Sequence, residues 1–215
     1  MNFKQEMLYF GKKMVQEKLV ASTWGNISCL VEPGKILITP SGMEYDFLEE
    51  DDLVLVDFSG RVLEGRRKPS SELLMHIEIY KNRKDVTAIV HTHSLYASAY
   101  AASRQPVPPL IEDMAMVVGG WAEVSEYALP GSQELARNVV KALGLKGAAL
   151  IANHGVVGVG GDLSEAYKAC LLVEKTAHIG LATKILGTTY ILSDQEVELM
   201  RKTYLTAYGQ KKGRG

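Results

Sequence analysis

His91-Thr92-His93 follows a short apolar run, Ala88-Ile89-Val90. Side chains in a strand repeat with a period of two, so two imidazoles spaced this way point to the same side. Two rings on one face can hold one metal ion. His154 closes a second apolar run, within Ala152-Asn153-His154-Gly155. Three imidazoles at neighbouring strand ends would make a tris-imidazole site with an open fourth position, the arrangement of catalytic zinc. Taken one at a time, each histidine reads as a satisfied core or surface residue. It is the combination that points to a metal. His76 and His178 carry less. His76 lies four residues after Glu72, on the same helix face, and reads as a surface contact; His178 sits inside a long helix.

Glu72 stands in the first turn of an expected helix beside Ser70 and Ser71. It is either a carboxylate that complements the helix dipole or a general base beside the metal. The two hydroxyls and the N–H groups of the same helix start would suit an anion. Two small-residue turns, Trp24-Gly25-Asn26 and Thr39-Pro40-Ser41-Gly42, could present further donors. Such turns are common, and they gain meaning only by converging with Ser70 and Ser71 on one phosphate.

Alternating strand and helix patterns must position these residues. The spacing of Phe3, Met7, Phe10 and Met14 predicts a helix over 2–19. Strands are expected at Asn26–Val31, Lys35–Ile38, Leu53–Val56, Ala88–Val90, Gly147–Ala152 and Val156–Val159, with turn signals at Glu32-Pro33-Gly34 and Ser59-Gly60. Helices are expected from Ser70 or Ser71, as N-cap, to about Arg83, over 94–103, from Gly131 to near Gly144, and over Leu163–Leu186. A capping box, Ser193-Asp194-Gln195-Glu196, opens a last helix to about Tyr208; Pro108 to Trp121 is open between strand and helix. The pattern predicts an α/β fold with a mixed sheet.

The 215 residues, without repeat or low-complexity linker, suit one domain spanning 1–215. Hydrophobic residues at 47% and charged residues at 23% are ordinary for a soluble protein. Basic and acidic side chains number 24 and 25, so the net charge of −1 excludes a general affinity for nucleic acid. Cys29 and Cys170 form no Cys-x-x-Cys pair, which argues against a disulfide framework and fits a reducing cytoplasm. The first residues have no secretory pattern, and no apolar run reaches the roughly 18 residues of a membrane span. The tail from Gln210 to Gly215 reads as a frayed end.

Five segments, in this order, carry a resemblance: Gly25-Asn26-Ile27-Ser28, Thr39-Pro40-Ser41-Gly42, Glu64-Gly65-Arg66-Arg67-Lys68-Pro69-Ser70-Ser71-Glu72, His91-Thr92-His93 and Asn153-His154-Gly155. Together they resemble the class II aldolase/adducin family over nearly the whole chain. The resemblance implies a three-layer α/β/α fold around a mixed, largely antiparallel sheet. It implies a ring-shaped homotetramer with active sites between subunits, acting on a small sugar phosphate with no nucleic acid or membrane partner. It implies a zinc-dependent aldolase cleaving a ketose 1-phosphate, with manganese or cobalt as other possible metals. His91, His93 and His154 would hold the zinc, and Glu72 would be the acid/base, able to approach the metal when no substrate is bound. Gly25, Asn26, Ser41, Gly42, Ser70 and Ser71 would hold the phosphate, and Tyr208 would close over the site.

The aldehyde side departs from the family pattern. Asp113, in Pro109-Leu110-Ile111-Glu112-Asp113-Met114, stands where a tyrosine of the neighbouring subunit supplies a proton. Pro130 and Leu205 stand where phenylalanines line the aldehyde pocket. Asp113 or Glu112 is then a replacement acid/base, or an ordinary subunit contact or helix cap. The change also admits a dehydratase or decarboxylase of a phosphorylated sugar on the same scaffold. A non-enzymatic module like the adducin head lacks the metal ligands, which this chain keeps. An unrelated zinc hydrolase would need further aspartates that are not seen.

Overall fold

A computed structural model describes residues 2–207. Tyr208, the candidate lid residue, and the basic tail lie outside the described residues. Helix α1 (Phe3–Gln16) starts where Asn2 Oδ1 accepts from the Gln5 N–H at 2.9 Å, and it buries Met7, Phe10 and Met14, whereas Phe3 is exposed. Strands β1 (Asn26–Glu32), β2 (Lys35–Ile38), β3 (Val54–Asp57) and β4 (Val62–Glu64) follow, then helix α2 (Leu73–Asn82), strand β5 (Ala88–Thr92) and helices α3 (Leu95–Ala102), α4 (Glu112–Val117) and α5 (Gln133–Leu143). Strands β6 (Ala148–Ile151) and β7 (Gly155–Gly160) precede helices α6 (Leu163–Leu186) and α7 (Asp194–Ala207).

The seven strands form one sheet in the order β4-β3-β2-β1-β5-β7-β6, and every ladder is antiparallel. The expected mixed character shrinks to a single parallel bridge, Val124 to Leu150. Strand β4 escaped the sequence reading because its three residues are all exposed, so no apolar alternation marks it. The capping box at Ser193 is formed: Glu196 Oε2 accepts from the Ser193 N–H at 2.8 Å. The open segment contains the short helix α4.

Side chains alternate across β5 and so feed two cores. Ala88 and Val90 join the core under α1, α3 and α6, with Ile27, Cys29 and Val156. Ile89 joins the other core, under α2 and α5, with Ile36, Val54, Ile79 and Val157. The layers are therefore helix, sheet, helix. Fully burying one such branched side chain contributes about 1.5–3 kcal/mol, which makes the centre of the sheet the rigid part of the molecule. Burial pushes the Cys170 thiol up to about 12, and Cys29 higher still, so both act as small apolar residues.

Candidate metal centre and substrate cleft

The register of the central strands brings the site together. Asn26 opposes His91 across β1 and β5, and Thr92 opposes Val156 across β5 and β7. The carboxyl end of β5, the start of β1 and the β6–β7 turn thus meet at one edge. His154 sits in that turn, just before β7, rather than on a strand. Gly155 allows the turn to close, because a Cβ there would collide with Thr92 O of β5. Gly25 is required at the start of β1: its φ is +80°, and a Cβ would come within 2.7 Å of His91 O.

Glu72, His91, His93 and His154 each offer one ligand atom, and these atoms lie within 4.8 Å of one another. His91 Nε2 is 3.0 Å from His93 Nε2 and 3.1 Å from Glu72 Oε2. Donors held at zinc distances of about 2.0–2.1 Å in a tetrahedron lie about 3.3 Å from one another. His91 Nδ1 donates to Val156 O at 2.9 Å, which leaves the Nε2 lone pair facing the carboxylate and the second imidazole. Acceptors face acceptors, and a cation between them resolves the conflict. Two more buried atoms, Glu72 Oε1 and His154 Nδ1, lack any hydrogen-bond partner and lie 3.6 Å apart. The donor set therefore fits a divalent ion of the zinc type.

The charges agree. Burial disfavours the Glu72 carboxylate, but His91 and His154, with hydrogen bonds from His91 and Asn26, outweigh it and hold the group well below the usual carboxylate range. Burial also disfavours a charged His91, and the adjacent Glu72 carboxylate reverses that, so His91 is raised. A proton and a metal ion thus compete for the same place. His93 is lowered to about 3 and His154 to about 4, first by burial and then by neighbouring imidazole charge, which keeps both unprotonated as ligands must be.

A cleft of about 320 Å³ opens beside this cluster. Gly25, Asn26, Ser41, Gly42, Ser70, Ser71, Glu72, His93 and His154 line it, so the turns of the sequence reading do converge. They are joined by a short antiparallel bridge, Pro40 to Pro69, in which the Ser41 N–H donates to Lys68 O and the Ser70 N–H to Thr39 O. Those two N–H groups are therefore spent. Glu72, not Ser70 or Ser71, is the N-cap of α2; Ser70 Oγ accepts from the Glu72 N–H at 3.2 Å. The hydroxyls are thus the more available donors. Asn26 is buried, and its amide is engaged: Nδ2–H donates to Glu72 Oε2 at 2.9 Å, and Oδ1 faces His76 Nε2 at 2.5 Å.

Asp113 is not brought to this cleft. It lies in the first turn of α4, 58% exposed, and pairs with Lys175 Nζ at 3.1 Å. Glu112 beside it is also exposed. Pro130 lines the cleft, whereas Leu205 lies on α7 against a separate groove with Gly120 and Arg201. Trp24, 62% exposed, leans on the cleft mouth with its ring 5.8 Å from that of His93, a placement the turn reading did not foresee. His76 is wholly buried rather than a surface contact, and it joins Ser28 and Tyr80 beneath the site. The signal was the pair of polar residues, Asn26 and Ser28, alternating along a buried strand.

An antiparallel α/β/α frame that sets a buried carboxylate and three imidazoles beside a serine- and glycine-lined cleft is the frame of a metal-dependent enzyme. The pattern of the "Class II Aldolase and Adducin N-terminal domain" matches residues 5–181. A 5-deoxy-D-ribulose 1-phosphate aldolase of Bacillus thuringiensis serovar kurstaki is 34% identical over 209 residues, covering 97% of both chains. An L-fuculose phosphate aldolase of Methanococcus maripaludis is 38% identical, covering 77% of this chain and 89% of its own. A solved L-fuculose 1-phosphate aldolase superposes with a TM-score of 0.90 at 39% identity, over 94% of this chain and 95% of that one. The chain belongs to the class II aldolase and adducin family and is a metal-dependent aldehyde-lyase. Among the described residues no helix is long and apolar enough to cross a membrane.

Proposed function

We propose that this protein is a zinc-dependent aldolase that reversibly cleaves a ketose 1-phosphate, of the L-fuculose 1-phosphate kind, to dihydroxyacetone phosphate and an aldehyde. The observation that carries the reading is the opening of the Glu72, His91, His93 and His154 cluster into the serine- and glycine-lined cleft. The three histidines would hold the zinc, with Glu72 joining them when no substrate is bound. Bound there, zinc supplies Lewis-acid stabilisation of the negative charge that develops on the substrate oxygens; manganese and cobalt suit the same donors.

The hydroxyls of Ser41, Ser70 and Ser71, the Gly25 and Gly42 turns and the second hydrogen of Asn26 Nδ2 hold the phosphate and so fix the carbon skeleton. In cleavage the C3–C4 bond breaks. The C4 hydroxyl loses its proton, and its carbon becomes the aldehyde. The electron pair stays with C3, where Glu72, carrying a proton taken up from solvent, delivers it to form dihydroxyacetone phosphate; in synthesis Glu72 takes it back. Asp113 of an adjacent subunit accepts the C4 hydroxyl proton, since its own cleft is out of reach, and Tyr208 closes the site. The working form is a cytoplasmic homotetramer of single-domain subunits.

Incubation of zinc-loaded protein with fuculose, ribulose, 5-deoxyribulose and methylthioribulose 1-phosphates tests this, with dihydroxyacetone phosphate as the readout. Chelator-sensitive release supports the aldolase, and the ranking identifies the aldehyde. Zinc-loaded protein that releases none from any of them overturns it and directs the search to dehydration or decarboxylation.

A further inference from the structure

Beneath Glu72 lies a line of buried polar side chains, of which the proposed reaction uses only Asn26 directly. Asn26 and Ser28 alternate along β1 and point to α2, where His76 and Tyr80 stand one turn apart. Tyr80 Oη is 2.8 Å from Ser28 Oγ, and Ser28 Oγ is 2.6 Å from His76 Nδ1. His76 Nε2 is 2.5 Å from Asn26 Oδ1, and Asn26 Nδ2 is 2.9 Å from Glu72 Oε2. His76 and Ser28 are wholly buried, so no water substitutes for a missing partner.

The directions of these bonds follow from one end. An ionised carboxylate only accepts, so Asn26 turns its NH2 to Glu72 and its carbonyl to His76. His76 must then donate from Nε2. A neutral imidazole has one N–H, so Nδ1 accepts from the Ser28 hydroxyl, whose oxygen accepts from Tyr80. Every member has one workable orientation. An Asn amide is nearly symmetric in shape, so its oxygen and nitrogen are told apart by these two partners. Without the Nε2–H donor, the carbonyl of Asn26 could turn against the carboxylate and repel it.

We propose that His76 is a positioning residue: with Nδ1 accepting from Ser28, it donates from Nε2 to the Asn26 carbonyl, orients that amide and thereby fixes Glu72 for zinc and for proton transfer. This rests on the reading of Glu72 given above. Outer partners of metal ligands lower metal affinity or activity by about 10–100-fold when removed. His76→Leu is expected to weaken zinc binding, measured by competition with a chromophoric chelator, and to lower kcat, each by about 10-fold or more. His76→Gln keeps an N–H near the Nε2 position and is expected to recover most of the loss. Because His76 acts through Asn26, the His76→Leu/Asn26→Ala double variant is expected to be no worse than Asn26→Ala alone.

The nitrogen-15 spectrum of the metal-free wild-type protein needs no substitution and is expected to show His76 protonated at Nε2 alone. A proton on Nδ1, zinc affinity in folded His76→Leu within about twofold of wild type, or additive losses in the double variant would overturn the proposal. Glu72→Gln, run in parallel, separates the two readings. If that variant still exchanges the dihydroxyacetone phosphate proton, Glu72 is not the acid/base, while the tautomer and zinc measurements still judge His76.

Discussion

Acid should destabilise the metal-free protein through His76 in a way that one substitution removes. Burial lowers this imidazole from 6.5 to about 3; the Glu72 carboxylate opposes the shift, and His91 adds to it. The folded pKa lies below the unfolded one, so on acidification the unfolded chain takes up the proton first. The stability due to His76 is whole above 6.5, falls as pH drops and is spent below about 3. Between about pH 7.5 and about pH 5 the unfolded histidine becomes almost fully protonated while the folded one does not, which costs about 2 kcal/mol at 1.36 kcal/mol per pH unit. The assay is urea unfolding of chelator-treated wild type and His76→Gln at both pH values. Titration of the other histidines is shared by both proteins and cancels in the difference. Wild type is expected to lose about 2 kcal/mol more than the variant on acidification. A difference independent of pH would refute a buried, neutral His76.

His93→Ala is expected to strip most of the zinc, read by metal analysis after gel filtration, and to abolish turnover. Glu72→Gln is expected to bind zinc, more weakly, while losing exchange of the dihydroxyacetone phosphate proton followed by proton NMR in deuterium oxide. Asp113→Asn is expected to slow turnover by about 10²-fold or more. Its melting temperature should hardly move, since an exposed pair such as Asp113 with Lys175 is worth about 0–1 kcal/mol. Gly155→Ala forces β7 away from Thr92 O, and an overpacked methyl of this kind costs about 1–3 kcal/mol. Because His154 precedes Gly155, calorimetry with and without zinc should show a lower midpoint and a smaller upward shift on adding metal.

Much of the site was legible in the chain because its signals are local. His91 and His93 stand two positions apart at the end of β5, one inside the strand and one just past it, and their rings lie 4.8 Å apart. Helix α6 runs over Leu163–Leu186 as its pattern predicts, ending at Gly187 with φ of +93°, and the Ser193–Glu196 box opens α7 as read. These features depend on residues a few positions apart. Tertiary structure alone decided what the polar residues spend their bonds on. Asn26, read as a phosphate ligand, is held between Glu72 and His76, partners 46 and 50 residues away. His76, read as a surface contact, is buried because α2 turns that face onto β1, and helical spacing says which residues share a face but not what covers it. The Ser41 and Ser70 turns meet through a bridge no local rule specifies, and that bridge consumes two of the N–H groups counted on for an anion. A motif names the atoms that can donate or accept; the pairing of each atom depends on what the folded chain sets within 3 Å of it, about the reach of a hydrogen bond.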